Sequence, residues 1–369
     1  MKYYIIAGEA SGDLHGSNLI KALLKQDSNA TIKCWGGDLM QQAGGTLVKH
    51  YKELAFMGFA EVVKNIPTIF KNIAFCKKNI EEFKPDVLIF IDYSGFNLRI
   101  AKWAKQKGIR TNYYISPQVW ASRSSRVENI KRDIDMMNVI LPFEKEFYAK
   151  HNFDVNFVGH PLIDAIADRQ QVGEIAFRKE YNLGDKKIIA LLPGSRKQEI
   201  IKMLSVMLSV VDDFKDYQFV IAGAPSQDYQ FYEQFIKTDN VRFITNKTYD
   251  LLSISFAALV TSGTATLETA LFKVPQVVCY KGSTISYQIA KRIITLKFIS
   301  LVNLIMDKEV VTELIQNEFN SKRLTKELTN ILDDSHRENV FLDYYKLEQI
   351  LGGKGASEKS AKLIFEGIK

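Results

Sequence analysis

Two segments in the second half of the chain combine residue types suited to binding a phosphate or diphosphate. In one of them, a short apolar run at 257–260 is followed by small and hydroxyl residues and then by apolar residues at helical spacing. Unpaired backbone amides at a helix N-terminus, together with the helix dipole, favour negative charge. We therefore predict an anion site formed by Ser262, Gly263, Thr264, Ala265 and Thr266.

Glu268 follows this site on the same predicted helix, one turn after Thr264. A carboxylate does not bind a phosphate, but it accepts hydrogen bonds from the hydroxyl groups of a ribose or a sugar. We therefore expect Glu268 to contact substrate hydroxyls. The alternative interpretation is that the segment is a simple N-cap and that Glu268 is a solvated helix residue.

The other segment, LLPGSRKQEI at 191–200, has the same order of strand, turn and helix start. It places Gly194, Ser195 and Arg196 at the carboxyl end of a predicted strand, where open α/β sheets bind ligands. The planar guanidinium of Arg196 matches two phosphate oxygens at once. The alternative is a surface arginine after a Pro-Gly turn. The presence of both segments in one half favours a diphosphate site in which Arg196 has a catalytic role.

Carboxylates and a histidine follow strands of the first half. Asp92 comes directly after VLIFI, at the ligand-binding edge, and we predict that it is a general base. Glu9, Ser11 and His15 lie in GEASGDLHG, which we expect to form a loop after the first strand at the same edge. His15 is a second candidate for the base, and its alternative role is capping or packing.

A loop with aromatic and basic residues, SPQVWASRSSR at 116–126, is predicted after another strand. Gln118 and Trp120, together with Arg123 and Arg126, suit a sugar or a phosphate, whereas the alternative is simple loop packing of Trp120. His160, in GHPLIDAI, lies at a predicted hinge between domains and is a further candidate for substrate binding.

Asp133 and Asp135 resemble the D-x-D motif with which some glycosyltransferases hold a metal. They lie in a predicted helical run rather than after a strand, so we interpret this match as chance. The other Asp, Glu and His residues lack metal-ligand spacing. We therefore expect neither a metal nor a cofactor.

The elements that position these residues alternate between strand and helix in both halves, which predicts two Rossmann-like, doubly wound parallel sheets facing a cleft. We expect domains at 1–163 and 164–344, and a helical tail at 345–369 of a kind that often packs back across such a cleft. The predicted strands are Tyr3–Ala7, Ile32–Gly36, Val87–Asp92, Thr111–Ile115, Val139–Leu141, Ile188–Leu192, Gln218–Ala222, Arg242–Ile244, Ala258–Val260 and Gln276–Tyr280.

Composition limits the class of protein. With 369 residues the chain is too long for one ordinary core, and a net charge of +7 indicates acidic partners such as phosphorylated substrates, lipid headgroups or nucleic acid. The three cysteines are far apart, which suits a reducing cytosol. We expect no signal peptide and no spanning helix.

The apolar stripe at 56–73 indicates core packing, with a membrane-facing lip as the alternative, and the run at 286–303 has a similar mixture of residues.

Several of these segments occur together, and in the same order, in one known family. The chain resembles the lipid-A-disaccharide synthases in GEASGD, ELAFMGFAEVV, KPDVLIFID, YYISPQVWA, LPFEKEFY, FVGHPLID, LLPGSR, TSGTATLE and SLVNLI. The resemblance covers nearly the whole chain. It implies a glycosyltransferase B fold and an inverting, metal-independent transfer from UDP-2,3-diacylglucosamine to 2,3-diacylglucosamine-1-phosphate. The implied products are a β-1,6-linked disaccharide 1-phosphate and UDP. The implied location is the cytoplasmic face of the inner membrane, to which the enzyme would bind peripherally. A homodimer is possible, but the oligomeric state is left open.

One position departs from the family pattern. Family members commonly read IDxPDFN where this chain reads IDYSGFN, so that Gly95 replaces the second aspartate. The resemblance therefore leaves Asp92 as the first candidate for the base and His15 as the second. A UDP-sugar epimerase of the same fold is the alternative enzyme. A non-enzymatic membrane adaptor or nucleic-acid-binding protein is the alternative of another class, and the scattered basic residues argue against nucleic acid.

Overall fold

A computed structural model describes residues 1–54, 66–121, 124–282 and 297–368. The chain divides into two compact units. Unit 1 comprises residues 1–167 and 351–369, and unit 2 comprises residues 168–350. Each unit has its own parallel sheet.

Unit 1 is built on a seven-stranded sheet in the order β3-β2-β1-β4-β5-β6-β7, in which all neighbouring strands are parallel. Short 3₁₀ turns cover Tyr51–Glu53, Val119–Ala121 and Ser124–Arg126. The elements, numbered over the described residues, are β1 (Lys2–Ala7), α1 (Ala10–Gln26), β2 (Thr31–Gly36), α2 (Asp38–Gln42), β3 (Thr46–His50), α3 (Ile66–Phe83), β4 (Val87–Ile91), α4 (Ser94–Gln106), β5 (Arg110–Tyr114), α5 (Val127–Asp133), β6 (Met136–Val139), α6 (Pro142–Ala149), β7 (Asn156–Phe157) and α7 (Pro161–Ala167).

Unit 2 has a six-stranded parallel sheet in the order β10-β9-β8-β11-β12-β13. A 3₁₀ turn at Leu208–Asp213 follows its second helix. Its elements are α8 (Glu174–Glu180), β8 (Lys187–Leu192), α9 (Lys197–Met207), β9 (Tyr217–Gly223), α10 (Tyr229–Glu233), β10 (Val241–Thr245), α11 (Thr248–Ser253), β11 (Ser255–Thr261), α12 (Thr264–Leu271), β12 (Gln276–Tyr280), α13 (Leu301–Met306), β13 (Glu313–Ile315), α14 (Ser321–Leu332) and α15 (Asp334–Ile350).

The last helix, α16 (Ala356–Ile368), belongs to unit 1. The carboxylate of Asp164 accepts hydrogen bonds from the amides of Gly355, at 2.7 Å, and Ser357, at 3.2 Å, at the start of this helix. Ala361 and Ile364 are buried in the same core as β1. Helix α16 therefore completes the core of unit 1.

Both sheets are covered on both faces, as their sequence patterns require. Alternate residues of β1 enter two different cores, with Tyr4 and Ile6 on one face and Tyr3 and Ile5 on the other. Strand β8 behaves in the same way in unit 2. Strands buried on both faces are near-continuous apolar runs, which is the pattern of a doubly wound fold. The predicted α/β class with two parallel-sheet units is confirmed.

The predicted strands all occur, but one of them is displaced. We predicted a strand at 139–141, whereas β6 ends at Val139, because Glu144 accepts hydrogen bonds from the amides of Ile140 and Leu141 and Pro142 begins α6. Strands β3, β7 and β13 were not predicted. Each is short or only half-buried, so its hydrophobic pattern is weak.

Candidate functional site

A cavity of about 470 Å³ lies in unit 2 at the carboxyl ends of β8, β9 and β11. It brings together the two predicted anion segments, which are far apart in sequence. Of the residues that we predicted, it is lined by Gly194, Ser195, Arg196, Ser262, Gly263, Thr264, Ala265 and Glu268.

Two glycines shape the turns that enter this cavity. Gly194 and Gly263 have φ of +102° and +155°, in the region that disfavours residues with a side chain. A Cβ atom on Gly194 would meet the carboxylate of Glu199 at 2.3 Å. That carboxylate folds back over the turn and accepts a hydrogen bond from the Ser195 amide at 3.2 Å. Arg196 is then the N-cap residue of α9, and its side chain is exposed on the cavity wall.

Thr266 is the one member of the predicted anion segment that does not line the cavity. It is fully buried, its hydroxyl donates to the Gly263 carbonyl at 2.8 Å, and its amide donates to the same carbonyl at 3.2 Å. Thr266 therefore closes the turn at the start of α12 instead of facing a ligand.

Glu268 lines the cavity from the second turn of α12. The hydroxyl of Tyr249 donates a hydrogen bond to its Oε1 atom at 2.7 Å. Burial raises the pKa of Glu268 above its ordinary value, while the hydrogen bond from Tyr249 opposes that rise. The carboxylate is thus held in one orientation with its other oxygen available to a ligand hydroxyl, which suits the predicted contact with a ribose.

Sequence reasoning missed part of this cavity. Glu199, Thr248 and the segment Ala222–Pro225 also line it, and Tyr249 lies behind Glu268. The segment at 222–225 follows β9, so the same rule about carboxyl ends of strands was available to predict it. Tyr249 carried no such signal, because its role depends on a contact between two helices.

In unit 1, Asp92 lies directly after β4 with its side chain exposed. Asp92 and Tyr93 have φ of 43° and 47°, an uncommon conformation that clusters at functional sites. The Asp92 carbonyl accepts hydrogen bonds from the side-chain Nδ2 atom of Asn97, at 2.8 Å, and from the Tyr113 hydroxyl. Its backbone is therefore fixed while its carboxylate stays available to a substrate.

The carboxyl group of Asp92 has a raised pKa of about 6. The main cause is loss of solvation among surrounding protein atoms, and repulsion by Glu9 adds to it. Such a value suits a general base that works near neutral pH. The structure thus brings the predicted residues Asp92 and Glu9 together at the carboxyl edge of the sheet.

The segment GEASGD is not the loop that we expected, because α1 already begins at Ala10. Glu9 is its N-cap residue, and Ser11 lies exposed in its first turn. Gly8 and Gly12 allow close packing: a Cβ atom would meet the Tyr93 ring at 2.3 Å in the first case and the Ala7 side chain at 3.0 Å in the second.

His15 and His160 are buried in unit 1. Burial lowers the pKa of His15 to about 4, and burial together with repulsion by His15 lowers that of His160 to about 3. The Nδ1 atom of His160 accepts a hydrogen bond from the Leu162 amide at 3.2 Å. Both side chains are therefore neutral at neutral pH, and neither is exposed to a substrate in the way that Asp92 is. His160 belongs to unit 1, whose first segment ends at residue 167.

The loop after β5 separates into an exposed and a packed part. Gln118 is exposed, whereas the Trp120 ring packs edge-on against Phe143 with 4.9 Å between centroids, as in our alternative interpretation. Behind them, Ser116 donates a hydrogen bond to Glu144, whose pKa burial raises to about 7. Sequence reasoning missed Glu144. Arg123 lies outside the described residues.

The D-x-D match also has a structural explanation. Asp133 is the last residue of α5, and Asp135 lies beyond the helix, where it accepts a hydrogen bond from the Thr111 amide at 2.9 Å. The predicted helical run therefore ends earlier than we expected. Over the described ranges, no group of three or more His, Cys, Asp or Glu residues is placed to hold a metal ion.

The apolar stripe at 56–73 lies partly outside the described residues, as does most of the run at 286–303. Within α3, Ile73 is buried in the core, but Phe70 and Phe75 are 63% and 46% exposed. Core packing is thus correct for Ile73 and wrong for Phe70. Among the helices described, none has the length and apolar character needed to cross a membrane.

Comparison with solved structures agrees with this fold. The UDP-GlcNAc 2-epimerase of Neisseria meningitidis bound to UDP-GlcNAc has a TM-score of 0.67 at 13% identity, with 100% of this chain and 99% of that chain covered. The S. aureus MnaA-UDP co-structure has a TM-score of 0.68 at 15% identity, with coverage of 100% and 97%. The glycotransferase of kitacinnamycin has a TM-score of 0.66 at 14% identity, with coverage of 99% and 98%. These likenesses show the fold alone and do not favour the epimerase alternative.

Comparison of sequences is more specific. The lipid-A-disaccharide synthase of Geobacter metallireducens is 38% identical over 371 residues, which cover 98% of this chain and 96% of the relative. That of Syntrophus aciditrophicus is 39% identical over 373 residues, with coverage of 99% and 97%. A family model described as Lipid-A-disaccharide synthetase matches residues 3–365. The predicted enzyme class, a glycosyltransferase of lipid A assembly, is confirmed, and the chain belongs to the lipid-A-disaccharide synthetase family.

Proposed function

We propose that this enzyme joins UDP-2,3-diacylglucosamine to 2,3-diacylglucosamine-1-phosphate, with inversion at the anomeric carbon of the donor. The acceptor's 6-hydroxyl attacks that carbon while its proton passes to a base. The bond from the anomeric carbon to the diphosphate breaks, its electron pair stays with the diphosphate, and UDP leaves. Two neighbours of the same fold that contain UDP-GlcNAc and UDP support a UDP-sugar as the donor.

The cavity of unit 2 is the observation that carries this proposal. It offers the Arg196 guanidinium and the N-terminal amides of α12 where the leaving diphosphate develops charge. Fixed donors of this kind stabilise a transition state without reorganisation. The two carboxylates of the cavity, Glu199 and Glu268, already accept hydrogen bonds from Ser195 and Tyr249. We therefore propose that the protein supplies the compensating positive charge itself and that turnover persists in EDTA.

We assign the general base to Asp92. Its raised pKa, exposed side chain and fixed backbone support this role. His15 is the weaker candidate, because its imidazole is buried and has a lowered pKa. Glu9, Ser11 and Gln118, which are exposed on unit 1, are proposed to bind the acceptor.

Replacement of Arg196 by alanine tests the donor site. We expect kcat/KM to fall about 10²-fold or more, on the scale of lost oxyanion contacts. Arg196→Lys keeps the charge but loses the planar fork, so it should recover only part of the rate. Lys202→Ala is the matched control, because this exposed lysine on the same helix does not line the cavity.

The assay measures UDP and the disaccharide product with both acylated sugars present and with the acceptor left out. A transferase releases UDP only when the acceptor is added, whereas an epimerase needs no acceptor. Unchanged kinetics of Arg196→Ala would contradict the assignment of the donor site. UDP release that does not depend on the acceptor would contradict the proposed reaction.

We further propose peripheral binding to a membrane surface. Exposed Phe70 and Phe75 on α3 lie close in sequence to the exposed cations Lys71 and Lys78, a combination typical of interfacial helices. Phe70→Ser should reduce co-sedimentation with anionic vesicles, and an unchanged bound fraction would contradict the proposal.

A homodimer is also proposed, supported by Leu342 and Tyr345 on α15, which are 69% and 58% exposed. A monomeric mass in light scattering would contradict it.

A further inference from the structure

Unit 1 contains a second cavity, of about 320 Å³, between α4 and α5. Arg99 and Lys102 line it from α4, and Arg126 and Arg132 line it from the 3₁₀ turn before α5 and from α5 itself. None of these side chains lines the donor cavity, and none of them is the proposed base. The cavity therefore lacks a role in the chemistry described so far.

The lining of this cavity has an excess of positive charge. It contains four cationic side chains but only one carboxylate, that of Asp133. Arg132 already satisfies this carboxylate through two hydrogen bonds, from Nε at 2.7 Å and from Nη2 at 2.6 Å. Like charges that converge in a concave site raise the local potential and attract an anion.

The two cations of α4 are available to such an anion. Arg99 donates one hydrogen bond to the carbonyl of Gly95 and forms no ion pair with a residue in the described part of the chain. Lys102 likewise pairs with no carboxylate among the residues that the structure describes. A guanidinium fork beside an ammonium group is the arrangement that binds phosphate oxygens.

The mouth of this cavity is formed by residues that neighbour the proposed base in the chain. Ser94 and Gly95 line its mouth and follow Asp92 and Tyr93 in the chain, at the carboxyl end of β4. No heavy atom lies within 4 Å of a Cβ atom built on Gly95, so the mouth is open at this position. A molecule that offers a hydroxyl to Asp92 can therefore extend an anionic group into the cavity.

We propose that this cavity binds the phosphate monoester of the sugar acceptor. The inference rests on the proposed function, in which the acceptor carries a phosphate on its anomeric carbon and reacts through its 6-hydroxyl. The anomeric carbon and C5, which carries the 6-hydroxymethyl group, flank the ring oxygen, so the two groups are held at a fixed, short separation on one sugar ring. Binding of the phosphate beside α4 would hold the 6-hydroxyl toward Asp92, so the cavity would orient the acceptor as well as retain it.

Binding of a small probe to the full chain tests the site without turnover. Glucosamine 1-phosphate is titrated by calorimetry, with glucosamine as the probe that lacks the phosphate. We expect Arg99→Ala and Lys102→Ala each to weaken the binding of glucosamine 1-phosphate by about ten- to a hundredfold. Lys131→Ala is the matched control on α5, because this exposed lysine does not line the cavity. Equal affinity in all three variants would overturn the proposal.

Steady-state kinetics separate this inference from the proposed function. With the acylated substrates, Arg99→Ala should raise KM for the acceptor and leave KM for the UDP-sugar unchanged. Normal turnover with an unchanged acceptor KM would overturn the site but leave the proposed function intact. Absence of turnover in the wild-type enzyme would contradict the proposed function, while the calorimetric result would still test the phosphate site.

A lipid headgroup is the other source of a phosphate group, and vesicles distinguish it. Binding to phosphatidylglycerol vesicles is compared with binding to phosphatidylcholine vesicles for Arg99→Ala, Lys102→Ala and Lys131→Ala. If only the two cavity variants lose vesicle binding while they bind glucosamine 1-phosphate normally, the cavity binds membrane lipid and the proposal is overturned. Vesicle binding that is equal in all three variants, together with weakened sugar phosphate binding, supports the acceptor site.

Discussion

The pKa of Asp92 leads to a prediction about how catalysis depends on pH. If Asp92 is the base, kcat/KM should follow its ionised fraction in the free enzyme. With a pKa of about 6, kcat/KM should be near its maximum at neutral pH. It should fall to about a tenth of that maximum one pH unit below the pKa, where about a tenth of the carboxyl groups are ionised. If His15 were the base, the acid limb would instead lie near its pKa of about 4.

Replacement of Glu9 by glutamine should move this acid limb in a known direction. Repulsion by Glu9 is the smaller of the two causes that raise the pKa of Asp92 from 3.8 to about 6, and loss of solvation among surrounding protein atoms is the larger. The Glu9→Gln variant should therefore have its acid limb at lower pH, while the loss of solvation, which is the larger cause, remains. The acid limb should thus stay above the ordinary pKa of an aspartate.

The assay is the release of UDP at subsaturating substrate, followed from about pH 4.5 to about pH 8.5 to cover both candidate pKa values. Glu146→Gln is the control for loss of a carboxylate, because Glu146 is exposed on α6 and is not a cause of the Asp92 shift. Asp92→Asn should lose about 10²- to 10⁴-fold in rate and should also lose the acid limb. An acid limb near pH 6 that persists in Asp92→Asn would refute the assignment, and so would a Glu9→Gln limb displaced to higher pH.

Other predictions concern the supports of the two sites. Tyr249→Phe leaves the buried Glu268 carboxylate without its donor, so the free energy of unfolding in urea should fall by about 1–3 kcal/mol and UDP should bind more weakly in calorimetry. Gly95→Asp places a carboxylate in open space in the first turn of α4, and we expect an increase of about 0.5–1.5 kcal/mol in stability, read as a higher Tm. Asp164→Asn weakens the hydrogen bonds from two amides at the start of α16, and hydrogen exchange should show faster opening of this helix. Unchanged exchange in α16 would contradict that role for Asp164.

Much of the fold could be predicted because both sheets are buried on both faces. Strands such as β4 and β8 are continuous apolar runs, so local pattern and tertiary burial agree. Strand β3 could not be predicted in this way, because its residues are half-buried or exposed and its partner β2 supplies the reason for the extended conformation. The position of β6 depended on Glu144, whose carboxylate binds backbone amides at the start of α6.

The donor cavity was more predictable than the acceptor side. Arg196 and Ser262 each follow a strand of the same sheet, so a rule about strand ends brings them together. In GEASGD the sequence suggested a loop for ligand binding, but Asp13 is buried and accepts hydrogen bonds from the amides of Gly37, at 2.8 Å, and Met40, at 3.0 Å. Its carboxylate caps α2, and contacts between separate elements of this kind leave no local signal in the sequence.

The two catalytic tasks require opposite electrostatic surroundings. A base near neutral pH needs a carboxylate whose charged form is disfavoured, and Asp92 with Glu9 in unit 1 provides this. A leaving diphosphate needs fixed positive charge, and Arg196 with the amides of α12 in unit 2 provides that. A guanidinium close enough to pair with Asp92 would lower the pKa of the base toward its ordinary value. Neither Arg196 nor a cation of the second cavity is among the causes of the Asp92 shift, so the raised pKa of the base and the positive charge at the diphosphate are both retained. Substitution of Arg196 should therefore leave the acid limb in place, and substitution of Asp92 should leave the dissociation constant for UDP unchanged. A shifted acid limb after substitution of Arg196, or a changed dissociation constant for UDP after substitution of Asp92, would contradict this division of roles.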